Sequence, residues 1–474
     1  MKLNFLIYKD SPHKIYLQLY DSIKNMIETG EALPNEKLPS IRQVAIKFDI
    51  NTLTVLKAYD LLEKNNYIYK LSGKGCFVKE KNKLISNTQK PVINNFAIIN
   101  KDINFASATP AADLYPVGIF QELKYTNRIK INTQGILELR ETIAEKLKNN
   151  NIYTSPNNIQ IVSGSQQALD LIKKIILKRK TTTMVAANPT YYGAINTFSE
   201  IAKMISVSLE EDGINIEELE KILQKNKVDF IYTMINFESP TGISWSTEKK
   251  KKILELSEKY NFTIIEDDCH SHLYYYNNVA TPLKAMDRKN KVIYINSFSK
   301  LIMPGLRLGY MIVPSNLISD IIAAKFSADI SSAGLIQLAL HLFLKRGYFE
   351  PHIEKLRAAF KEKYELTLSL LREIKEIELP YIPNGGFYIW IKLPKGLNSN
   401  VFYNVLKERH VSILPDSVFH INDEQENDHI RLSFAAVSKD EIIRGIQIIK
   451  KSLEEFSQKK DFLFKEDFIS LLLR

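Results

Sequence analysis

The sequence predicts an α/β protein with a mainly parallel sheet, preceded by a small, mostly helical unit. Three observations carry this reading. From Ile103 onward, strand-like apolar runs alternate with amphipathic helical stretches, as in sheets whose strands are joined by crossover helices. The first 80 residues instead carry three short helical patterns and then two short strand-like runs around a glycine-rich turn. Between them, residues 81–102 lose all periodicity. The expected organisation is thus a head at 1–80, a linker at 81–102 and a large domain at 103–474. A length of 474 residues exceeds one ordinary domain, and 45% hydrophobic with 25% charged residues suits a protein with a large buried core.

Composition narrows the class. Two distant cysteines, Cys76 and Cys269, make neither a disulfide framework nor a metal-ligand spacing. The N-terminal apolar stretch is too short for a signal peptide. The uncharged run at 330–344 falls short of the roughly 18 residues of a membrane span. A cytoplasmic protein is expected. The formal charge of +10 admits nucleic acid as a partner without requiring it. Residues 1–80 hold 12 Lys/Arg against 9 Asp/Glu, so charge alone does not reveal a DNA-binding head.

In the head, Tyr16, Leu19, Tyr20, Ile23 and Ile27 recur at helical spacing and predict a first helix ending near Gly30. Ser40 and Gln43 have capping-box spacing, so a short helix over 41–48 follows. After a turn at 49–51, a third helix begins near Thr52, with Leu53, Leu56, Tyr59 and Leu62 expected on one face. Two short helices across a tight turn make a helix-turn-helix, whose second helix can enter the major groove. Residues 67–71 and 76–79 read as a hairpin wing, with Gly73 and Gly75 in its turn and Lys74 at its tip.

This stretch resembles the GntR-type winged helix, with counterparts of its motifs at 16–19, 37–42 and 54–59. The resemblance implies double-stranded operator DNA as partner, touched by Arg42, Asn51, Thr52, Thr54 and Lys57, with Gly73 and Lys74 in the wing. Many members carry an arginine at the start of the recognition helix, where this chain has Thr52 and Leu53. Bidentate readout of guanine is weakened there, and sequence preference leans on thymine methyls or on DNA shape. The polar linker spans roughly 25 Å as a coil and at most about 75 Å when stretched.

In the large domain, 134–135 precedes an amphipathic helix over 137–147, and the strand 159–162 runs directly into a helix beginning near Gln166. Gly164 and Ser165 therefore sit at a helix N-terminus, where free N–H groups and the dipole attract phosphate. Further strands are expected at 184–187, before N-P-T-Y-Y-G-A, and at 230–235, before N-F-E-S-P-T-G. The strand at 262–265 leads into I-I-E-D-D, and the strand at 291–295 into N-S-F-S-K-L-I-M-P-G-L-R-L-G-Y. Lys300 in that last motif ends a core strand; partial desolvation would leave its amine neutral and able to form a Schiff base. Ser297, Ser299 and Arg307 around it are suited to a phosphate dianion. A carboxylate in the acidic stretch can pair with a protonated pyridine nitrogen.

These residues resemble the fold-type I, aminotransferase class I and II group of pyridoxal 5'-phosphate enzymes. The resemblance implies that Lys300 carries the cofactor and Asp267 pairs with its ring nitrogen. Arg307, with Gly164, Ser165, Gln166, Ser297 and Ser299, would hold the phosphate, and Tyr191 would cover the ring. It also implies that Arg431, on a strand near the end of a small C-terminal subdomain, grips a substrate carboxylate. Two donors to the ring hydroxyl are replaced, an asparagine by Ser239 and a tyrosine by Cys269, so efficient turnover is not expected. The segment 456–474 matches no motif and reads as an extra helix.

A winged helix ahead of such a domain resembles the MocR/GabR-type subfamily of GntR regulators, which implies a homodimer. The leading expectation is a regulator that senses an amino compound through an external aldimine. The alternative, an active aminotransferase with an accessory DNA-binding head, stays open at this point.

Overall fold

A computed structural model describes residues 5, 7, 14–28, 32–33, 36–65, 67–71, 75–79, 102–116, 132–178, 181–276, 281–421 and 427–459. Two compact units result, Met1–Gln89 and Lys90–Arg474. The expected linker lies almost wholly outside the described residues, as do Gly73, Lys74 and 460–474.

In the first unit, helices α1 (Ile15–Glu28), α2 (Ile41–Phe48) and α3 (Thr52–Lys64) precede an antiparallel hairpin of β1 (Ile68–Leu71) and β2 (Gly75–Val78). Helix α2 starts where its capping box dictates: the Ser40 hydroxyl accepts from the Gln43 N–H, and the Gln43 carboxamide accepts from the Ser40 N–H. Asp49, at φ +50°, ends it. Asn51 caps α3 by accepting the Leu53 N–H at 2.8 Å. Leu19, Ile23, Val44, Val55, Tyr59, Leu62 and Val78 form the core. One expectation fails here. Leu53 does not face that core but is 64% exposed, because the buried stripe of α3 runs through Val55, Ala58, Tyr59 and Leu62.

The second unit opens with β3 (Ile103–Asn104). Its central sheet comprises β4 (Ile159–Val162), β5 (Thr183–Asn188), β6 (Lys203–Glu210), β7 (Gly213–Ile214), β8 (Phe230–Thr233), β9 (Thr263–Asp267), β10 (Val292–Ser297) and β11 (Gly309–Ile312). Their order is β4-β11-β10-β9-β8-β5-β6-β7. Strands β10, β9, β8, β5 and β6 pair in parallel; β11 runs against both β10 and β4, and β7 against β6. Every residue of β4, β8, β10 and β11 is buried, as a sheet covered on both faces requires.

Among the described residues of this unit the α-helices, in chain order, are α4 (Leu137–Leu147), α5 (Ser165–Ile176), α6 (Tyr192–Phe198), α7 (Ile216–Lys225), α8 (Thr247–Tyr260), α9 (Ile318–Asp329), α10 (Gly334–Lys345), α11 (Phe349–Leu371), α12 (Ser399–Glu408) and α13 (Lys439–Lys459). A smaller antiparallel sheet holds β12 (Tyr388–Lys392), β15 (His429–Ser433) and β14 (Leu414–Pro415), while β13 (Val411–Ser412) pairs with β3. Phe456 does not open a new segment: it is a buried residue in the last turns of α13. No helix among the described residues is long and apolar enough to cross a membrane.

Candidate functional site

Register brings the carboxyl ends of three strands together. Asp267 ends β9 opposite Ile295 of β10, Ser297 of β10 faces Gly309 of β11, and Gly309 faces Val162 of β4. Gly164, at φ +84°, then turns the chain into α5 with no side-chain cap on that helix. Lys300 is not the end of a strand, as its sequence position suggested, but stands in the turn three residues past β10.

Gly164, Ser165, Gln166, Tyr191, Asp267, Ser297, Ser299, Lys300 and Arg307 all line one cavity of about 110 Å³, with Met234 and Cys269. Arg307, itself at φ +46°, donates from Nη2 to the Ser163 carbonyl at 2.9 Å. The Ser299 N–H donates to Ser297 Oγ at 3.3 Å.

Lys300 Nζ lies 3.0 Å from His270 Nε2 and 3.9 Å from Cys269 Sγ. Burial disfavours the Lys300 ammonium, while Cys269, Tyr388, Tyr191 and Asp267 around it push the other way and raise the amine's pKa above its ordinary value. The downward shift expected from desolvation alone is therefore opposed by these neighbours. His270 is fully buried, and burial with the neighbouring Lys300 charge pushes its pKa well below the ordinary histidine value. Its Nδ1 is 3.2 Å from the Phe237 carbonyl, which assigns the proton to Nδ1 and leaves Nε2 to accept from Lys300. Sequence reasoning named Cys269 and missed His270, one residue further on.

Asp267 is almost wholly buried; burial pushes its carboxyl up, and the Lys300 charge opposes this. Tyr232 donates to its Oδ2 at 3.4 Å, while Oδ1 has no hydrogen-bond partner. Ser165 Oγ and Ser299 Oγ are likewise buried without a partner. Three orphaned polar atoms on one small cavity, beside an uncapped helix start, call for a polar ligand. A phosphorylated pyridine aldehyde fits them: hydroxyls and N–H groups for the phosphate, a carboxylate for the ring nitrogen, an amine for the aldehyde.

A second cavity, of about 330 Å³, shares Tyr191, Ser299, Lys300 and Arg307 with the first and reaches Arg431 on β15. The Arg431 guanidinium is 2% exposed and lies 4.4 Å from the Tyr388 ring centroid. Its Nη2 donates to the Ala106 carbonyl at 2.6 Å and its Nη1 to Ser239 Oγ at 3.4 Å, while Nε has no partner. Ser239 thus supports the arginine.

In the head, Arg42, Asn51, Thr52 and Lys57 are exposed and Thr54 is half-buried. Asn51 Oδ1 is committed to capping α3, which leaves its amide N–H₂ for outside contacts.

A winged-helix head and a pyridoxal-phosphate-type large domain together define a class of DNA-binding proteins that carry an aminotransferase-like body. Comparison with known proteins makes the assignment specific. Residues 15–78 match the bacterial regulatory proteins, gntR family, and residues 103–449 match aminotransferase class I and II. The chain belongs to the aminotransferase class I and II family and carries a GntR head, the combination of the MocR-type transcription regulators.

It is 29% identical over 462 residues to the uncharacterized HTH-type transcriptional regulator YisV of Bacillus subtilis (strain 168), covering 91% of this chain and 94% of that one. It is 30% identical to 2-aminoadipate transaminase of Thermus thermophilus, over 78% of this chain and 92% of the enzyme. Among solved structures, Pyrococcus horikoshii kynurenine aminotransferase, crystallised with PMP, is 30% identical with a TM-score of 0.69, covering 75% of this chain and 91% of the other. The multiple substrate aminotransferase of Thermococcus profundus is 28% identical with a TM-score of 0.72, covering 80% and 98%. The cofactor of this fold is pyridoxal 5'-phosphate. Relatives that share the head as well as the large domain are transcription regulators, which favours regulation over transamination as the chain's role.

Proposed function

We propose that this protein is a cytoplasmic, homodimeric transcription regulator that carries pyridoxal 5'-phosphate on Lys300 and responds to a small amino compound bearing a carboxylate. The observation that carries the proposal is the continuity of the two cavities, with Lys300 between the three orphaned polar atoms and Arg431. When bound, the cofactor supplies an aldehyde that captures amines reversibly.

The chain's own residues do the rest. Ser165, Ser299, Arg307 and the first turn of α5 would hold the phosphate. Asp267 would pair with the protonated ring nitrogen, a partner that stabilises its charged form. Tyr191 covers the ring. His270 Nε2, 3.0 Å from Lys300 Nζ, accepts a hydrogen bond from it and so would orient the amine for attachment. Arg431 orients the effector through its carboxylate, by a bidentate pair once Nη2 leaves the Ala106 carbonyl.

For the effector to alter DNA binding, it must bind two arrangements of the protein unequally, by about 1–3 kcal/mol in typical coupling. The test is a spectral titration of the cofactor-loaded protein with a panel of amino acids, with and without DNA from the region upstream of its own gene. An effector whose apparent affinity shifts in the presence of DNA supports the proposal. Spectra that ignore every compound, or robust steady-state turnover with 2-oxo acids, would overturn it.

A further inference from the structure

Behind the phosphate side of the smaller cavity lies a buried charge that the function above does not use. Lys325, on α9, is fully buried. Its ammonium is saturated by three acceptors: Gln167 Oε1 at 2.7 Å, Asp329 Oδ2 at 2.8 Å and Ser332 Oγ at 2.9 Å. Asp329 also accepts from Gln167 Nε2 at 2.9 Å, so the carboxamide is fixed at both ends.

Gln167 Oε1 in turn accepts the Ser163 N–H at 2.8 Å. The Ser163 carbonyl is the group to which Arg307 Nη2 donates at 2.9 Å. Ser163 thus lies between Lys325 on one side, through Gln167, and Arg307 on the other. The next residue is Gly164, where a Cβ would come within 3.4 Å of Arg307 Nη2. A lysine with no exposed surface costs free energy to bury unless its partners are fixed. Here the partners belong to α5, α9 and the turn after α9, and the line they form ends at the two anion-binding elements of the cavity.

We propose that Lys325 is a positioning residue for the cofactor phosphate: through Gln167 it fixes Ser163 by its N–H, and with it the Ser163 carbonyl that Arg307 holds and the first turn of α5. This rests on the pyridoxal phosphate reading above. Lys325 does not touch the ligand. Its effect therefore falls on the phosphate and not on the aldehyde end, where Lys300 and His270 act, nor on the ring nitrogen, where Asp267 acts.

The experiment compares the full-length protein's affinity for pyridoxal 5'-phosphate with that for pyridoxal, the same aldehyde without phosphate, by absorbance titration with borohydride trapping. Wild type should prefer the phosphorylated aldehyde strongly. Lys325→Met should lower that preference about tenfold, as loss of one charge-assisted link does, while leaving pyridoxal affinity unchanged; Lys325→Arg should restore part of it. Gln167→Met keeps the charge but cuts the link, and should lower the preference similarly even where Lys325→Met fails to fold. A preference within about twofold of wild type in Gln167→Met overturns the proposal, and so does equal weakening of both ligands. Wild-type protein that fixes neither aldehyde removes the cofactor reading itself, a result distinct from either.

Discussion

Gly309 is the position where one added methyl group should register in both stability and cofactor binding. It sits in β11 between β10 and β4, paired with Ser297 and Val162. A Cβ there would stand 2.6 Å from the Asn296 carbonyl oxygen, 3.2 Å from Gly164 Cα and 3.3 Å from Ser297 Cα, all backbone atoms. An ordinary carbon–oxygen contact is roughly 3.3 Å, so the neighbouring strands must part by about 0.7 Å. Overpacking of this kind costs about 1–3 kcal/mol. Those same strands carry Gly164 and Lys300 just beyond their ends, so cofactor affinity should fall with stability. Both tryptophans, Trp245 and Trp390, are buried in the large unit. Urea unfolding of Gly309→Ala followed by tryptophan fluorescence thus reads that unit alone. A midpoint and a cofactor affinity both equal to wild type would refute the packing argument.

Other outcomes follow from the same contacts. Arg42→Ala should weaken operator binding and flatten its salt dependence by about one unit of slope; a gel-shift series at several salt concentrations matching wild type would remove Arg42 from the interface. Leu53, exposed at the start of α3, should read thymine methyls, so replacing thymine by uracil in the operator should weaken wild type but not Leu53→Ala. Equal losses in both proteins contradict this.

Ser40→Ala removes the α2 capping box and should destabilise that helix by about 1 kcal/mol, read as faster amide exchange over 41–48 in the full chain. His272 is held down to about 4 by burial and by Arg357, whereas an unfolded chain protonates it near ~6.5. Its contribution to stability is complete above that value and is lost as pH falls through the window, at up to about 1.4 kcal/mol per pH unit. Urea midpoints should therefore decline less steeply toward acid in His272→Gln, and identical slopes would argue against a neutral, partly buried imidazole.

Much of this architecture is written in local signals. Ser40 with Gln43, and Asn51 ahead of Thr52, set the starts of α2 and α3, because a cap is a contact over two or three residues. The strand at 159–162 and the helix at 137–147 are legible from apolar runs and spacing. Side-chain direction is less so. Leu53 has an apolar residue's chemistry and a solvent-facing position, since helical phase alone, without the hairpin and α1, does not say which stripe is covered.

His270 escaped notice because its link to Lys300 joins positions 30 apart across a turn, where strand alternation no longer predicts direction. The upward push on the Lys300 pKa comes from Cys269, Tyr388, Tyr191 and Asp267, drawn from separate parts of the chain. Burial alone points the other way. The Gln167–Lys325 contact spans 158 positions, and neither residue belongs to any motif.

The central claim is a covalent cofactor at one amine, and reduction followed by peptide mapping tests it most directly. Protein purified with excess pyridoxal 5'-phosphate and treated with borohydride should carry one phosphopyridoxyl group per chain, on Lys300, with the visible band lost and Lys300→Ala left unlabelled. A colourless protein, or label spread over surface lysines with none on Lys300, would contradict the account.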